Sequence, residues 1–166
     1  MSRSVVIGVG NSDRGDDAAG LELVRRLRRH VPPGAAVREC TGGAFALLEA
    51  WRGCRRAVLV DAAEGGGRPG AVHRFEAHRQ TLPAWLRHAS THSPGVAEAV
   101  ELARALGELP AEVVVYAIEG GAFGHGGPLS PPVRRAIGRV EARIVRELDQ
   151  RSGPVVKAVA TRPRGA

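Results

Sequence analysis

The sequence predicts an α/β fold: a single domain with a twisted, largely parallel sheet of five or six strands and helices on both faces. Three observations predict it. The apolar runs Val5–Val9, Ala57–Val60 and Val113–Ile118 are continuous rather than alternating, as in strands buried on both faces. Segments with apolar residues at helical spacing stand between them, and Gly- or Pro-containing loops separate the two kinds. The 166-residue length is that of one ordinary domain, with enough apolar residues (43%) for a full core.

The first strand ends in Gly8-Val9-Gly10-Asn11, where the glycines let the chain turn. From Asp17 the period changes, and Ala18, Leu21, Val24 and Leu27 line one helix face. Asp16 and Asp17 stand at the helix start and arginines at its end, as the helix dipole favours, and Gly20 lets the helix lie close to the sheet. A weaker strand, Ala36 to Glu39, leads through Thr41-Gly42-Gly43 into a helix from Ala44 to Trp51. The strand Ala57 to Asp61 is closed by the glycine-rich stretch 65–70, and Ala71 to Phe75 is a candidate edge strand. Residues 76–90 carry no clear period. Ser93-Pro94 opens a helix to Leu106, and Val113 to Ile118 is the next strand. Pro131-Pro132 opens the final helix, with Val133, Ile137, Val140, Ile144 and Leu148 on its apolar face. The domain is assigned to residues 1–150, and residues 151–166 are expected to be a disordered basic tail.

Composition narrows the function classes. No apolar run approaches the roughly 20 residues of a membrane helix, and the start of the chain does not resemble a signal peptide, so a cytoplasmic location and no membrane partner are expected. Cys40 and Cys54 are too few for a disulfide framework and read as small buried hydrophobes. The net charge of +7 raises nucleic-acid binding. It is almost wholly arginine spread along the chain, in pairs such as Arg25-Arg26, Arg55-Arg56 and Arg134-Arg135, which read as solvated helix faces. With aromatics at 4% there are few rings on which to stack bases, so no nucleic-acid partner is expected.

Sites in parallel sheets form beyond the carboxyl ends of the strands. That rule places residues 11–17, 41–43, 61–64 and 119–127 on one rim, with Asp17 after the first strand and Asp61 at the end of the third. His92 stands just before a helix. Taken singly, each acid could merely cap a loop or a helix, and His92 could be a surface residue. Together, two carboxylates and an imidazole make a mixed oxygen and nitrogen donor set for a divalent transition ion, with open coordination positions. A nucleotide site is disfavoured. The loop lacks the third glycine of G-x-G-x-x-G, there is no G-K-[ST], and paired carboxylates repel phosphate.

Residues 8–20, Gly-Val-Gly-Asn-Ser-Asp-Arg-Gly-Asp-Asp-Ala-Ala-Gly, resemble the opening signature of the maturation endopeptidases of [NiFe]-hydrogenases, a G-x-G-N loop followed by D-[DE]-x-x-G. Val58-Leu59-Val60-Asp61, Ser90-Thr91-His92, Ile118-Glu119 and the stretch 126–133 are similar to later motifs of that family, in order, over roughly residues 4–149. The resemblance implies a phosphorylase/hydrolase-like fold and a metal-dependent endopeptidase of aspartic type. It further implies that Asp17, Asp61 and His92 are the metal-binding and catalytic residues, bridging nickel supplied by the substrate. A crystal of such a protein could also take up another divalent ion. The implied partner is a hydrogenase large-subunit precursor that loses its C-terminal extension, and the implied state is a monomer. Asn11 and Asp16 are expected to hold the loop and orient the ligands, and Thr41 and Gly42 to meet substrate. Glu39-Cys40-Thr41-Gly42-Gly43 departs from the family's D-G-G-T sequence, which puts the identity of the partner in question. No Ser or Cys is paired with a base and no H-E-x-x-H is present, which leaves attack by water as the expected chemistry. A non-catalytic nickel chaperone and a peptidyl-tRNA hydrolase-like enzyme are the alternatives. The second has a His where this chain carries Asp16-Asp17.

Overall fold

In a computed structural model that describes residues 4–87 and 95–152, five strands form one sheet in the order β2-β1-β3-β5-β4. The strands are β1 (Ser4–Val9), β2 (Ala35–Cys40), β3 (Arg56–Ala63), β4 (Val72–Glu76) and β5 (Glu112–Glu119). The first three and β5 run parallel, and β4 pairs antiparallel along the outer side of β5. β3 and β5 are central, and their near-continuous Val, Ile and Ala content follows from burial on both faces.

The helices are α1 (Ala19–Leu27), α2 (Ala44–Ala50), α3 (Ala84–Arg87), α4 (Val96–Leu106) and α5 (Pro131–Ser152). Alternate residues of each strand feed two cores. Leu59, Val115 and Ala117 pack with Leu47 of α2 and Val100 of α4, while Val58, Val60, Tyr116 and Ile118 pack with Leu23 of α1 and Ile137 of α5. Each large aliphatic side chain buried this way stabilises the fold by roughly 1.5–3 kcal/mol.

Three local devices place these elements. Gly8 and Gly20 let α1 lie directly on β1, since a Cβ on Gly20 would stand 2.2 Å from the Val60 carbonyl oxygen and one on Gly8 would stand 2.1 Å from that of Gly20. Gly8 thus serves helix-on-sheet contact inside the strand, and the turn falls at Gly10 (φ 152°). The Gly95 N–H at the head of α4 donates to Glu98 at 2.8 Å, and Gly107 ends that helix in the left-handed conformation at φ 71°.

The expected strands and long helices are present, the Ser93-Pro94 opening expected for α4 lying outside the described residues, and the candidate edge strand is β4. The structure differs in detail. A 3-10 turn, Gly15–Ala18, precedes α1, so Asp16 and Asp17 belong to that turn. The unassigned stretch 76–90 contains the short helix α3. α5 extends to Ser152, two residues into the expected tail, whose remainder lies outside the described residues.

Arg56 also departs from the expectation of a solvated pair, being only 4% exposed. It stands at the amino end of β3, where Nη2 donates to Glu147 of α5 at 2.9 Å. The same Glu147 accepts from the Tyr116 hydroxyl at 2.5 Å and from Arg74 Nε at 3.2 Å. Burial and the Glu147 hydrogen bond push the Tyr116 phenol up to about 12. The cluster runs from Arg56, at the end of the sheet opposite the predicted rim, to Tyr116 and Arg74, which face each other at mid-strand. Among the described residues, no helix is long and apolar enough to cross a membrane.

Candidate functional site

The carboxyl ends of β1, β2, β3 and β5 open on one rim, as the parallel topology requires. After β1 the chain folds on itself. The Asn11 N–H donates to the Asp17 carbonyl at 3.3 Å, the Asp17 N–H to the Arg14 carbonyl at 3.1 Å, and Asn11 Oδ1 accepts the Asp13 N–H at 2.9 Å. Gly15, at φ 56°, passes so close to Ala122 that a Cβ would stand 2.3 Å from its carbonyl oxygen. This loop carries Asp16 and Asp17 in opposite roles.

Asp16 is fully buried and clamps the rim. Its Oδ2 accepts the Gly121 and Ala122 N–H groups, each at 2.9 Å, and the Ser130 hydroxyl at 2.8 Å. Oδ1 accepts the Ser130 N–H at 2.7 Å. Burial works to raise its pKa, but these four hydrogen bonds outweigh it and hold the carboxyl below its ordinary range. Asp16 thus ties the first loop to residues 121–122 and to Ser130, at the start of α5.

Among the described residues Asp17 has no such set of donors. Burial raises its pKa, against the opposing charge of Arg14 and a hydrogen bond from the Asn11 backbone. Asp61 leaves β3 on the face that also carries Leu59 and Ala63, and it is part-buried. Burial and then the charge of Asp17 push it up to about 8, against one backbone hydrogen bond from Ala62. The two acids that stand 44 residues apart in sequence are therefore electrostatic neighbours. Such a pair calls for a shared proton or a cation, and two hard oxygen donors fit a divalent ion. Among the described residues no group of three His, Cys, Asp or Glu side chains is arranged to hold a metal, and His92 lies outside the described residues.

The end of β2 closes the third side. Cys40 is buried, as expected of a small hydrophobe, with Sγ 3.8 Å from the Gly42 carbonyl oxygen. Burial pushes its thiol up, and the nearby Asp61 charge adds to the shift. Thr41 and Gly42 are exposed on the rim beside it, and Phe45 one turn on is 76% exposed.

Two groups inside the quoted motifs were given no role of their own by sequence reasoning. For Arg14, an arginine among Asp13, Asp16 and Asp17 was a usable signal. Glu119 satisfies the rule that singled out Asp61, an acid ending an apolar strand. It is 2% exposed, accepts the Gly65 N–H at 3.1 Å, and lies 3.3 Å from His73 Nε2. His73 in turn meets Trp85 edge-on at 5.0 Å between ring centroids. Glu119 thus fixes the glycine-rich loop after β3.

A family model described as hydrogenase maturation protease matches residues 21–147. The chain is 28% identical over 138 residues to a hydrogenase expression/formation protein HupD from Thiocapsa roseopersicina, a match covering 80% of this chain and 62% of that protein. The chain therefore spans less than two thirds of that relative's length. Among solved structures, an endopeptidase from Escherichia coli superposes with a TM-score of 0.78 at 22% identity, covering 91% of this chain and 94% of the other. A [NiFe] hydrogenase maturation protease HycI from Thermococcus kodakarensis KOD1 gives 0.69 at 23% identity, covering 89% and 93%. At such identities these two establish the fold alone.

Proposed function

The chain belongs to the hydrogenase maturation protease family, and from that premise we propose that it is an endopeptidase removing the C-terminal extension of a nickel-loaded [NiFe]-hydrogenase large-subunit precursor. The observation that carries this reading is the meeting of Asp17 and Asp61 on the rim, with Asp61 raised by burial and then by the charge of Asp17. In the free protein Asp61 holds a proton at neutral pH. Docking of a precursor whose nickel has open positions would replace that proton with a cation, so the site favours loaded over empty precursor. Asp17 and Asp61, with His92, are the residues proposed to meet the nickel. Asp16 and Asn11 fix the loop that aims Asp17, and Thr41 and Gly42 supply exposed surface for the client beside the acids.

The cleavage chemistry follows from what the site contains. Cys40 is buried, has its thiol pKa raised, and donates only toward a backbone carbonyl, which does not make a nucleophile. A water molecule is the attacking group in this reading, with a carboxylate of the pair accepting its proton.

The test is incubation with nickel-loaded and nickel-free precursor, followed by mass spectrometry. Loss of a short C-terminal peptide from the loaded form alone is expected, and Asp17→Asn and His92→Ala should each abolish it. Intact cleavage in both variants would refute the assignment. Nickel binding without any cleavage would move the protein to a chaperone role.

A further inference from the structure

The loop that carries Asp17 also carries a cation whose hydrogen-bonding capacity is unspent. Arg14 is pinned through its backbone, its N–H donating to the Asn11 carbonyl at 3.4 Å and its carbonyl accepting from Asp17. Its side chain is part-buried, and Nε is buried without a hydrogen-bond partner among the described residues. The adjacent acids do not take it up. Asp16 spends both oxygens on Gly121, Ala122 and Ser130, and Asp17 makes no ion pair with Arg14 within 4 Å, although the Arg14 charge acts on it. Other arginines of this chain that stand near acids do pair: Arg25 with Glu39, Arg26 with Glu22, Arg74 with Glu147, and Arg56 with Glu147 and Glu112, although Nε and Nη1 of Arg56 are likewise without hydrogen-bond partners among the described residues. A buried N–H without an acceptor costs about 1–3 kcal/mol, so one held in place beside a site points to a ligand atom that arrives from outside.

We propose that Arg14 donates to the scissile carbonyl oxygen of the precursor and stabilises the negative charge that forms there. The assignment rests on the peptidase reading and deepens it. A guanidinium keeps its charge at every working pH and offers donors in a fixed fork. A free carboxylate ligand would be repelled by Asp17, whereas a carbonyl oxygen arrives neutral and becomes charged only during reaction. In that step the water oxygen bonds to the carbonyl carbon, and the C=O π pair moves onto the oxygen that Arg14 holds. The pair then returns as the C–N bond breaks, and the proton released by the water leaves on the amine nitrogen. Peptide and water become acid and amine, with no other reactant.

The experiment measures kcat and KM for nickel-loaded precursor with wild type, R14A and R14K. For R14A, kcat should fall about 100- to 1,000-fold with KM within about threefold, the size expected for loss of one oxyanion donor. Millimolar guanidinium, far below denaturing concentration, should restore R14A at least about tenfold and leave wild type unchanged, which a purely structural role would not produce. R14K keeps the charge without the fork, and a fall in kcat of at least about tenfold is expected there, a result that stands even if R14A fails to fold. Wild-type kcat in R14K, a loss confined to KM, or no rescue by guanidinium overturns the proposal. Failure of the wild type itself to cut the loaded precursor would strike the peptidase reading first, and is told apart because no variant is involved.

Discussion

Replacing Asp16 with Asn changes one atom of the clamp and preserves its shape. The carboxylate takes three donors on Oδ2 and one, the Ser130 N–H, on Oδ1. The asparagine amide nitrogen would therefore settle at the Oδ1 position, where it faces a single backbone N–H and leaves that donor buried without an acceptor. The three remaining donors meet a neutral oxygen in place of an ionised one. One orphaned donor and the loss of charge assistance at the others give a cost of about 2–3 kcal/mol. The sign with pH follows from the direction of the shift. Asp16 is depressed in the folded protein relative to 3.8, so its contribution is complete above about pH 4 and fades as pH falls through the lower folded value. Urea unfolding followed by fluorescence, with the buried Trp51 as reporter, would measure it. At pH 7 the variant's midpoint should drop by about 1–2 M, and the gap to wild type should shrink at the acid end. A gap below about 0.5 kcal/mol at pH 7, or one that stays constant into acid, would refute the clamp.

Asp61→Asn should abolish cleavage yet raise the unfolding temperature at pH 7, by roughly 2–4 °C per kcal/mol recovered, because it removes a buried acid whose ionisation beside Asp17 is unfavourable. For the same reason, calorimetry in buffers of different ionisation heat should show about one proton released per loaded precursor bound near neutrality, vanishing above the Asp61 value of about 8. Glu147→Ala should destabilise the fold by about 3–5 kcal/mol in chemical denaturation, since buried Arg56 would keep only the longer Glu112 contact at 3.5 Å and Tyr116 and Arg74 would lose their acceptor. Gly20→Ala should cost at least about 3 kcal/mol by the same assay, because its Cβ would meet the Val60 carbonyl at 2.2 Å.

The fold was legible wherever burial dictates composition. A strand covered on both faces has to be apolar throughout, so β1, β3 and β5 announced themselves, and the carboxyl-end rule then brought Asp17 and Asp61 to one rim. β2 and β4 were fainter because they lie at the two edges of the sheet, where each residue is only partly covered. What the chain could not announce was register. That Glu147 reaches Arg56, or that Glu119 meets His73, depends on how helices and strands slide against one another, and no local pattern encodes it. Asp16 and Asp17 look interchangeable as a dipeptide. Only the turn that sends one side chain toward Ser130 and the other toward Arg14 and Asn11 gives them different chemistry.

The clamp also sets a schedule. Asp16 finds its partners 105 to 114 residues further along the chain, so during synthesis the acids of the first loop exist long before anything can hold them. At ordinary elongation rates that interval lasts roughly 5–25 s. A nascent chain that has not yet reached Ser130 carries Asp17 and Asp61 without the brace behind them. The rim becomes a working surface only once the last helix has begun to emerge.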